Sequence, residues 1–278
     1  MAFFSGKLAY ITGGSSGIGL EVARLLVSQG CSLVLFARKQ AGLDQARQTL
    51  EKKAVDSGQR VDTVAMDVAD NDNVRQKIKE AVERFGVPDI LINSAGIGTA
   101  GYFQDLSYEA FDRIMKINVY GTRNTISAVL PFMKARGWGH IVNLSSAAGL
   151  LGMFGYSYYS TSKYALVGLS ECLRSELKLI NIHVTVVCPP EVDTPFVAEE
   201  AASLPPEGRA VKSLAGLLKP EHVARTIVAA IKRKKFLVVP GLAAKFLYLN
   251  HRLSNGFFTH LFSDLLVAFV ARRKGHKV

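Results

Sequence analysis

The stretch that most limits what this chain can fold into is Lys7-Leu-Ala-Tyr-Ile-Thr12, followed by Gly13-Gly-Ser-Ser-Gly-Ile-Gly19 and a helical pattern over residues 20–29. A short apolar strand, a glycine-rich turn and a helix, in that order, form the context a dinucleotide-binding motif requires. The glycines let the backbone bend tightly and approach a pyrophosphate, which then lies against the helix's positive N-terminal end. Apolar runs at residues 32–37, 60–66, 89–93, 140–144, 183–188 and 236–240 alternate with helical patterns, as in an α/β sheet protein. At 278 residues, 49% of them hydrophobic, the chain can build one large core. It shows no internal repeat, linker or second domain, so residues 1–241 read as a single unit.

A second constellation lies at residues 145–163, Ser-Ser-Ala-Ala-Gly-Leu-Leu-Gly-Met-Phe-Gly-Tyr-Ser-Tyr-Tyr-Ser-Thr-Ser-Lys. Tyr159 and Lys163 are four residues apart, so on a helix they share one face and bring an ammonium close to a phenol. A nearby cation favours phenolate and lowers a tyrosine's pKa, making the phenol a competent proton donor to a carbonyl or acceptor from an alcohol. Ser146 follows the apolar run at 140–144, which places its hydroxyl at a strand's C-terminal edge, where open α/β sheets keep their sites. Tyr-x-x-x-Lys alone is common in aromatic-rich amphipathic helices. The serine at its offset and the glycine turn at residue 13 give the pair its meaning.

Together these features resemble the short-chain dehydrogenase/reductase family over about residues 5–240. The resemblance implies a Rossmann architecture: α/β, a doubly wound, mostly parallel sheet with helices on both faces, here with a C-terminal helical extension at 242–278. It implies that Ser146, Tyr159 and Lys163 act with Asn118, in Lys116-Ile-Asn-Val-Tyr-Gly, whose family counterpart holds a water that relays protons from the lysine. The G-x-x-x-G-x-G spacing is the family's version of the glycine turn, so Gly13, Ser15, Ser16, Gly17, Ile18 and Gly19 are expected at the cofactor. By the same resemblance Asp67 accepts from the adenine amino group, with Val68 beside it. Asn93, Ala95 and Gly96 line the ribose, Tyr159 and Lys163 reach the nicotinamide ribose, and Pro189, Val192 and Thr194 flank the nicotinamide. Two positions depart from the family's usual pattern: Ser94 stands where an asparagine is common, and Pro190 where a glycine is common.

The residues after the second strand choose the cofactor. An acid there binds the adenosine ribose hydroxyls of NAD, and an arginine suits the 2′-phosphate of NADP. Here the strand ends Ala37-Arg38-Lys39, with Ser15 able to donate to the same phosphate, which selects NADP(H). Residues 195–218 mix charge, proline and small residues and read as a lid over the substrate. Gly152-Met-Phe-Gly-Tyr-Ser-Tyr-Tyr159 and Pro189-Pro-Glu-Val-Asp-Thr-Pro, with Ala198-Glu-Glu200, resemble a branch that reduces the ketone of a long-chain amino alcohol with NADPH. The double proline is typical of that branch. Glu191, Asp193, Glu199 and Glu200 are then candidates to meet an ammonium. Reduction of 3-oxoacyl, steroid or retinoid ketones is the alternative, followed by a non-catalytic NADPH-binding scaffold, which would predict damage to the polar quartet; none is visible.

Charge is unevenly placed. Residues 1–208 carry 20 Lys and Arg against 21 Asp and Glu, whereas residues 209–278 carry 14 against only Glu221 and Asp264. The whole excess of +11 therefore sits in the last quarter. There Phe257, Phe258, Leu261, Phe262, Leu265, Leu266, Phe269 and Val270 recur at helical spacing, and Arg272-Arg-Lys follows. An apolar stripe ending in basic residues suits the interfacial plane of a membrane or a dimer interface, which the family often builds near here. Interleaved with apolar faces and matching no reader motif, these charges do not point to nucleic acid. Ser146 has no G-x-S-x-G elbow, and the six histidines lack metal-ligand spacing, which argues against hydrolase and metal chemistry. Cys31, Cys172 and Cys188 are scattered and read as buried apolar residues of a reducing compartment. Residues 1–7 leave no room for a signal peptide before the first strand. The expectation is a cytoplasmic homo-oligomer, peripheral on a membrane's cytoplasmic face, acting on a lipid-like small molecule.

Overall fold

In the computed structural model, which describes residues 3–195, 197, 203–214 and 216–273, the apolar runs become parallel strands. They are β1 (Leu8–Thr12), β2 (Ser32–Ala37), β3 (Val61–Ala65), β4 (Ile90–Asn93), β5 (Gly139–Leu144), β6 (Ile182–Val187), the short β7 (Glu191–Val192) and β8 (Leu217–Leu218), and β9 (Leu237–Val238). Among the described residues seven of them form one sheet in the order β3-β2-β1-β4-β5-β6-β9, every pairing parallel. Helices α1 (Gly17–Val27), α2 (Gln40–Glu51), α3 (Asn71–Phe85), α4 (Tyr108–Met115), α5 (Gly121–Arg136) and α6 (Ser157–Lys178) come first. α7 (Pro206–Ser213), α8 (Pro220–Lys232), α9 (Leu242–Leu253) and α10 (Phe257–Arg273) complete the chain.

Both sheet faces are covered, which is why the strands read as continuous apolar runs and not as alternating ones. Alternate residues still divide between two cores. Ala9, Ile11, Leu33, Leu35, Ile90 and Ile92 meet α1, α2 and α8 through Val22, Leu26, Leu43 and Ile227. Tyr10, Val34, Phe36 and Leu91 meet α3, α5 and α6 through Ile78, Val129, Met133 and Leu177. The chain runs outward from β1 to β3, then returns to β4 on the other side of β1 and proceeds to β9. That reversal opens a crevice at the strands' C-terminal ends, between β1 and β4.

Three details differ from the sequence pattern. The helical stretch 108–136 is interrupted by a π turn, Lys116–Tyr120, and Asn118 sits in it, fully buried. The 195–218 stretch carries regular structure: β8 pairs with β7, and α7 begins at Pro206, whose fixed φ suits a first helical turn. Cys172 is exposed on α6, whereas Cys31 and Cys188 are buried with their thiols pushed up to about 12 by desolvation.

The C-terminal extension is two helices, bent by 116° at a turn where Asn255 (φ 50°) and Gly256 (φ 84°) are left-handed. No single described helix is long and apolar enough to cross a membrane; α9 and α10 pass that test only as the bent pair. Glu199, Glu200 and Lys274 lie outside the described residues.

One buried group makes the fold sensitive to acid. His140 on β5 is buried with its Nε2 2.8 Å from Thr185 Oγ1, and that hydroxyl donates to the Lys235 carbonyl at 2.6 Å. The hydroxyl proton is therefore spent, and the imidazole must supply the Nε2–H. Burial, then His183 and Lys234, push the His140 pKa down to about 3. The unfolded chain takes a proton near pH 6.5 and the folded chain does not, so stability falls as pH drops from about 6.5 toward 3. The expected slope from this residue is about 1.4 kcal/mol per pH unit across that window. Urea unfolding of the wild type and His140→Gln at pH 7, 6, 5 and 4 checks it; parallel stability curves would remove His140 as the cause.

Candidate active site

Four loops and one helix converge on the crevice. The turn after β1 contributes Gly13, Ser16, Gly17 and Ile18; the loop after β4 contributes Ser94, Ala95 and Gly96. Ser145 and Ser146 follow β5, Tyr159 and Lys163 project from the first turns of α6, and Pro189, Val192 and Thr194 follow β6. The residues the sequence singles out for catalysis and for the inner part of the cofactor thus line one cleft, except Asn118 and Asn93, which stand behind it. Gly19 is buried beneath the turn.

The turn has room for a diphosphate because side chains are missing there. At Gly13, φ is +65° and a Cβ would come within 2.8 Å of the Ala95 backbone nitrogen. The N-cap of α1, Ser16, makes no side-chain cap, and the first turn carries no acid, so the helix's leading N–H groups remain available to an anion. These are the features a dinucleotide's pyrophosphate needs.

Outside the cleft, Arg38 and Lys39 are exposed at the end of β2, and Lys39 is the N-cap residue of α2. Among the described residues neither pairs with a carboxylate. Ser15 approaches α2, its Oγ 3.8 Å from where a Gly42 Cβ would stand. Asp67 is exposed and folds its own turn, accepting from the Ala69 N–H at 2.9 Å. Val68 packs against Gly121, and its carbonyl accepts from Asn124. The Asn93 side chain is committed inward, donating to Asn143 Oδ1 and accepting from Thr125 Oγ1.

Lys163 is buried, and its Nζ donates to the Leu144 carbonyl at 3.0 Å while lying 5.5 Å from the Tyr159 ring centroid. Asn118 Oδ1 accepts from the Ile97 N–H, and its Nδ2 donates to the Ile97 carbonyl and to Ser162 Oγ, each at 2.9 Å. Gly96 keeps the space between these groups open: a Cβ there would stand 3.2 Å from Asn118 Oδ1 and 3.5 Å from Lys163 Nζ. Ser146 Oγ accepts from the Ala148 N–H at 3.2 Å, which leaves its own proton for another acceptor. A phenol, a hydroxyl and an ammonium in one partly apolar cleft can donate to a carbonyl oxygen and replace the proton given up.

The structure adds residues the motifs do not mark. The Tyr156 ring lies 5.8 Å from that of Tyr159, tilted by 57°, and with Met153 forms the wall beside it. Its i, i+3 spacing from Tyr159 is a usable signal. Lys212 of α7 reaches the cleft and pairs with Glu191 at 2.9 Å, and Tyr102 donates to buried Glu207 at 3.0 Å. Nothing in the sequence links those partners.

A doubly wound parallel sheet with a glycine turn at its reversal and this polar set over it defines an oxidoreductase that binds a nicotinamide dinucleotide and acts on a C=O/CH–OH pair. The family model described as short chain dehydrogenase matches residues 7–204, and the chain belongs to that family. A 3-ketodihydrosphingosine reductase from Bos taurus is 42% identical over 224 residues, covering 80% of this chain and 68% of that one. Another so named, from Dictyostelium discoideum, is 34% identical across 97% of this chain and 85% of that one. Among solved structures, a short chain dehydrogenase/reductase from Burkholderia phymatum in complex with NAD superposes with a TM-score of 0.78 at 28% identity, covering 91% of this chain and 97% of that one.

Tyr159→Phe keeps the ring and its packing on Tyr156 but deletes the phenolic hydroxyl. Turnover is expected to fall by roughly 10²–10⁴-fold, with dinucleotide affinity retained. Steady-state rates and a cofactor titration of the variant check this; a third of the wild-type rate would remove Tyr159 from the chemistry.

Proposed function

We propose that this chain reduces the 3-ketone of 3-ketodihydrosphingosine (3-ketosphinganine) to dihydrosphingosine with NADPH, in sphingolipid synthesis. The observation that carries the reading is the naming of relatives at 34–42% identity as reductases of this ketone, over stretches that include the polar quartet. The substrate-side wall agrees with it: Met153, Tyr156, Pro189, Pro190, Pro195 and Val197 offer an apolar surface to a long chain.

In this mechanism Tyr159 gives its phenolic proton to the carbonyl oxygen while the Ser146 hydroxyl donates to the same atom and holds it in place. Lys163 stabilises the phenolate left behind and binds the nicotinamide ribose. Asn118 holds the water that returns a proton toward Lys163. A nicotinamide held by Lys163 and Thr194 would supply the hydride that turns the ketone into a secondary alcohol. NADPH over NADH rests on Arg38, Lys39 and Ser15, since an exposed guanidinium at the end of β2 suits a 2′-phosphate.

NADPH oxidation with 3-ketosphinganine, beside a 3-oxoacyl thioester and a steroid ketone, tests the substrate; turnover of the thioester or steroid alone would overturn it. Arg38→Asp should reverse the cofactor preference, because the carboxylate repels a 2′-phosphate and accepts from ribose hydroxyls. Unchanged NADPH affinity in that variant would make Arg38 a solvated charge.

The same reading gives the extension a role. Leu242, Phe246, Leu249 and Leu253 on α9, and Phe257, Phe258, Leu261, Phe262 and Leu265 on α10, are all exposed, in a region of net charge +12 (14 basic minus 2 acidic residues over 209–278). Apolar side chains facing solvent beside uncompensated cations suit an anionic bilayer surface, at about 1 kcal/mol per basic residue close to it. Full-length protein should float with anionic liposomes at low salt and less with neutral ones. Phe258→Glu with Leu265→Glu should abolish flotation without unfolding the protein. Dimerisation lost in that double variant, with no flotation by the wild type, would assign the face to a second copy.

A further inference from the structure

We infer that Glu191 is the residue that recognises a substrate ammonium, with Lys212 holding its carboxylate in the cleft until that cation arrives. The inference rests on the amino-ketone reading and adds a specificity determinant to it. Glu191 opens β7, immediately after the double proline, and lines the same cleft as Ser146 and Tyr159. Among the described residues it is the one carboxylate in that lining, whose wall is otherwise mostly apolar. A carboxylate in such a wall carries a desolvation cost unless a cation meets it.

The protein supplies that cation from the lid. Lys212 Nζ sits 2.9 Å from Glu191 Oε1, with side-chain exposures of 12% and 20%, and lies 5.6 Å from the centre of the Tyr156 ring. The Tyr156 ring in turn lies 5.8 Å from that of Tyr159, so a primary ammonium already rests within two rings of the proton donor. Glu191 Oε2 accepts no hydrogen bond from the described residues, which leaves an oxygen for a second N–H donor. A substrate whose amine is adjacent to its ketone carries such a donor. It can share Glu191 with Lys212 or take its place, while a neutral ketone of equal length gains nothing from the carboxylate.

A lid latch is the competing role for the pair, and kinetics separate the two. The probes are 3-ketosphinganine and its N-acetyl derivative, which keeps the ketone and chain and loses the charge. Wild-type kcat/KM should favour the amine at least tenfold. Glu191→Gln, near-isosteric and uncharged, should bring that preference to within about twofold of parity, chiefly by raising KM for the amine. Lys212→Met, which keeps the alkyl stem over Tyr156 and removes the internal competitor, should not raise KM for the amine. If both variants lower kcat/KM for amine and amide alike, the pair is a latch and the inference is overturned. It is also overturned if Glu191→Gln leaves the tenfold preference intact, or if the wild type shows no preference between the two ketones. Turnover of neither ketone by the wild type defeats the amino-ketone reading itself, and this inference with it.

Discussion

The side-chain amide of Asn118 is the joint on which the site depends. One amide satisfies both backbone groups of Ile97, just past Gly96 in the loop after β4, and donates to Ser162 on α6. The Ser162 hydroxyl in turn donates a hydrogen bond to the Tyr159 carbonyl at 2.7 Å. The loop after β4 and the helix bearing the phenol and ammonium are therefore fixed to each other through a fully buried residue. The π turn makes this bonding accessible, because its wider coil sets Asn118 apart from the regular i, i+4 ladder of α4 and α5. Removing the amide would leave the part-buried N–H and C=O of Ile97 without this partner, at a cost of at most about 1–3 kcal/mol for each.

A second polar chain performs the same service deeper in the sheet. Thr125 of α5 donates to Asn93 of β4, Asn93 donates to Asn143 of β5, and Asn143 donates to Ser170 of α6. Four buried side chains thus cross two strands and tie together the helices on that face. The crevice is held open by this rigidity and not by loops alone. Lys163 gains from it directly, since its ammonium is anchored by the last carbonyl of β5, at Leu144, the strand that Asn143 locks in register with β4.

How much of this can be read from the sequence follows from the range of each interaction. β1, β4 and β5 are legible because strands buried on both faces must be apolar throughout, and the glycine turn because its backbone tolerates no Cβ. Tyr159 and Lys163 are legible as a pair because a helix brings i and i+4 together. Asn118 is legible by family resemblance alone; its partners at Ile97 and Ser162 lie 21 and 44 residues away. The Glu191–Lys212 pair and the Tyr102–Glu207 contact, 105 residues apart, leave no local periodicity to find. The break at Asn255 and Gly256 is the intermediate case: the asparagine–glycine pair marks a turn, but apolar spacing on both sides of it hides the change of direction.

The segment around α7 and the C-terminal helix α10 pack together as neighbouring elements beside the cleft. Glu207, Leu204 and Lys212 face inward from the segment around α7, to Tyr102, to the Ala100–Tyr156 cluster and to Glu191 respectively. α10 packs on α7 more extensively than on α9. α10 in turn leaves Phe258, Leu261, Phe262 and Leu265 to solvent. Going outward from Tyr159, one therefore crosses a partly apolar cleft, the segment around α7 and the exposed apolar side chains of α10. For a ketone with a long hydrocarbon chain this order has a physical consequence. In the proposed reaction the head must reach Ser146 and Tyr159 while the chain needs apolar contact, and the α7 side of the cleft offers both. α10 and α7 are in direct contact, so the exposed apolar surface and the wall of the cleft lie one helix apart.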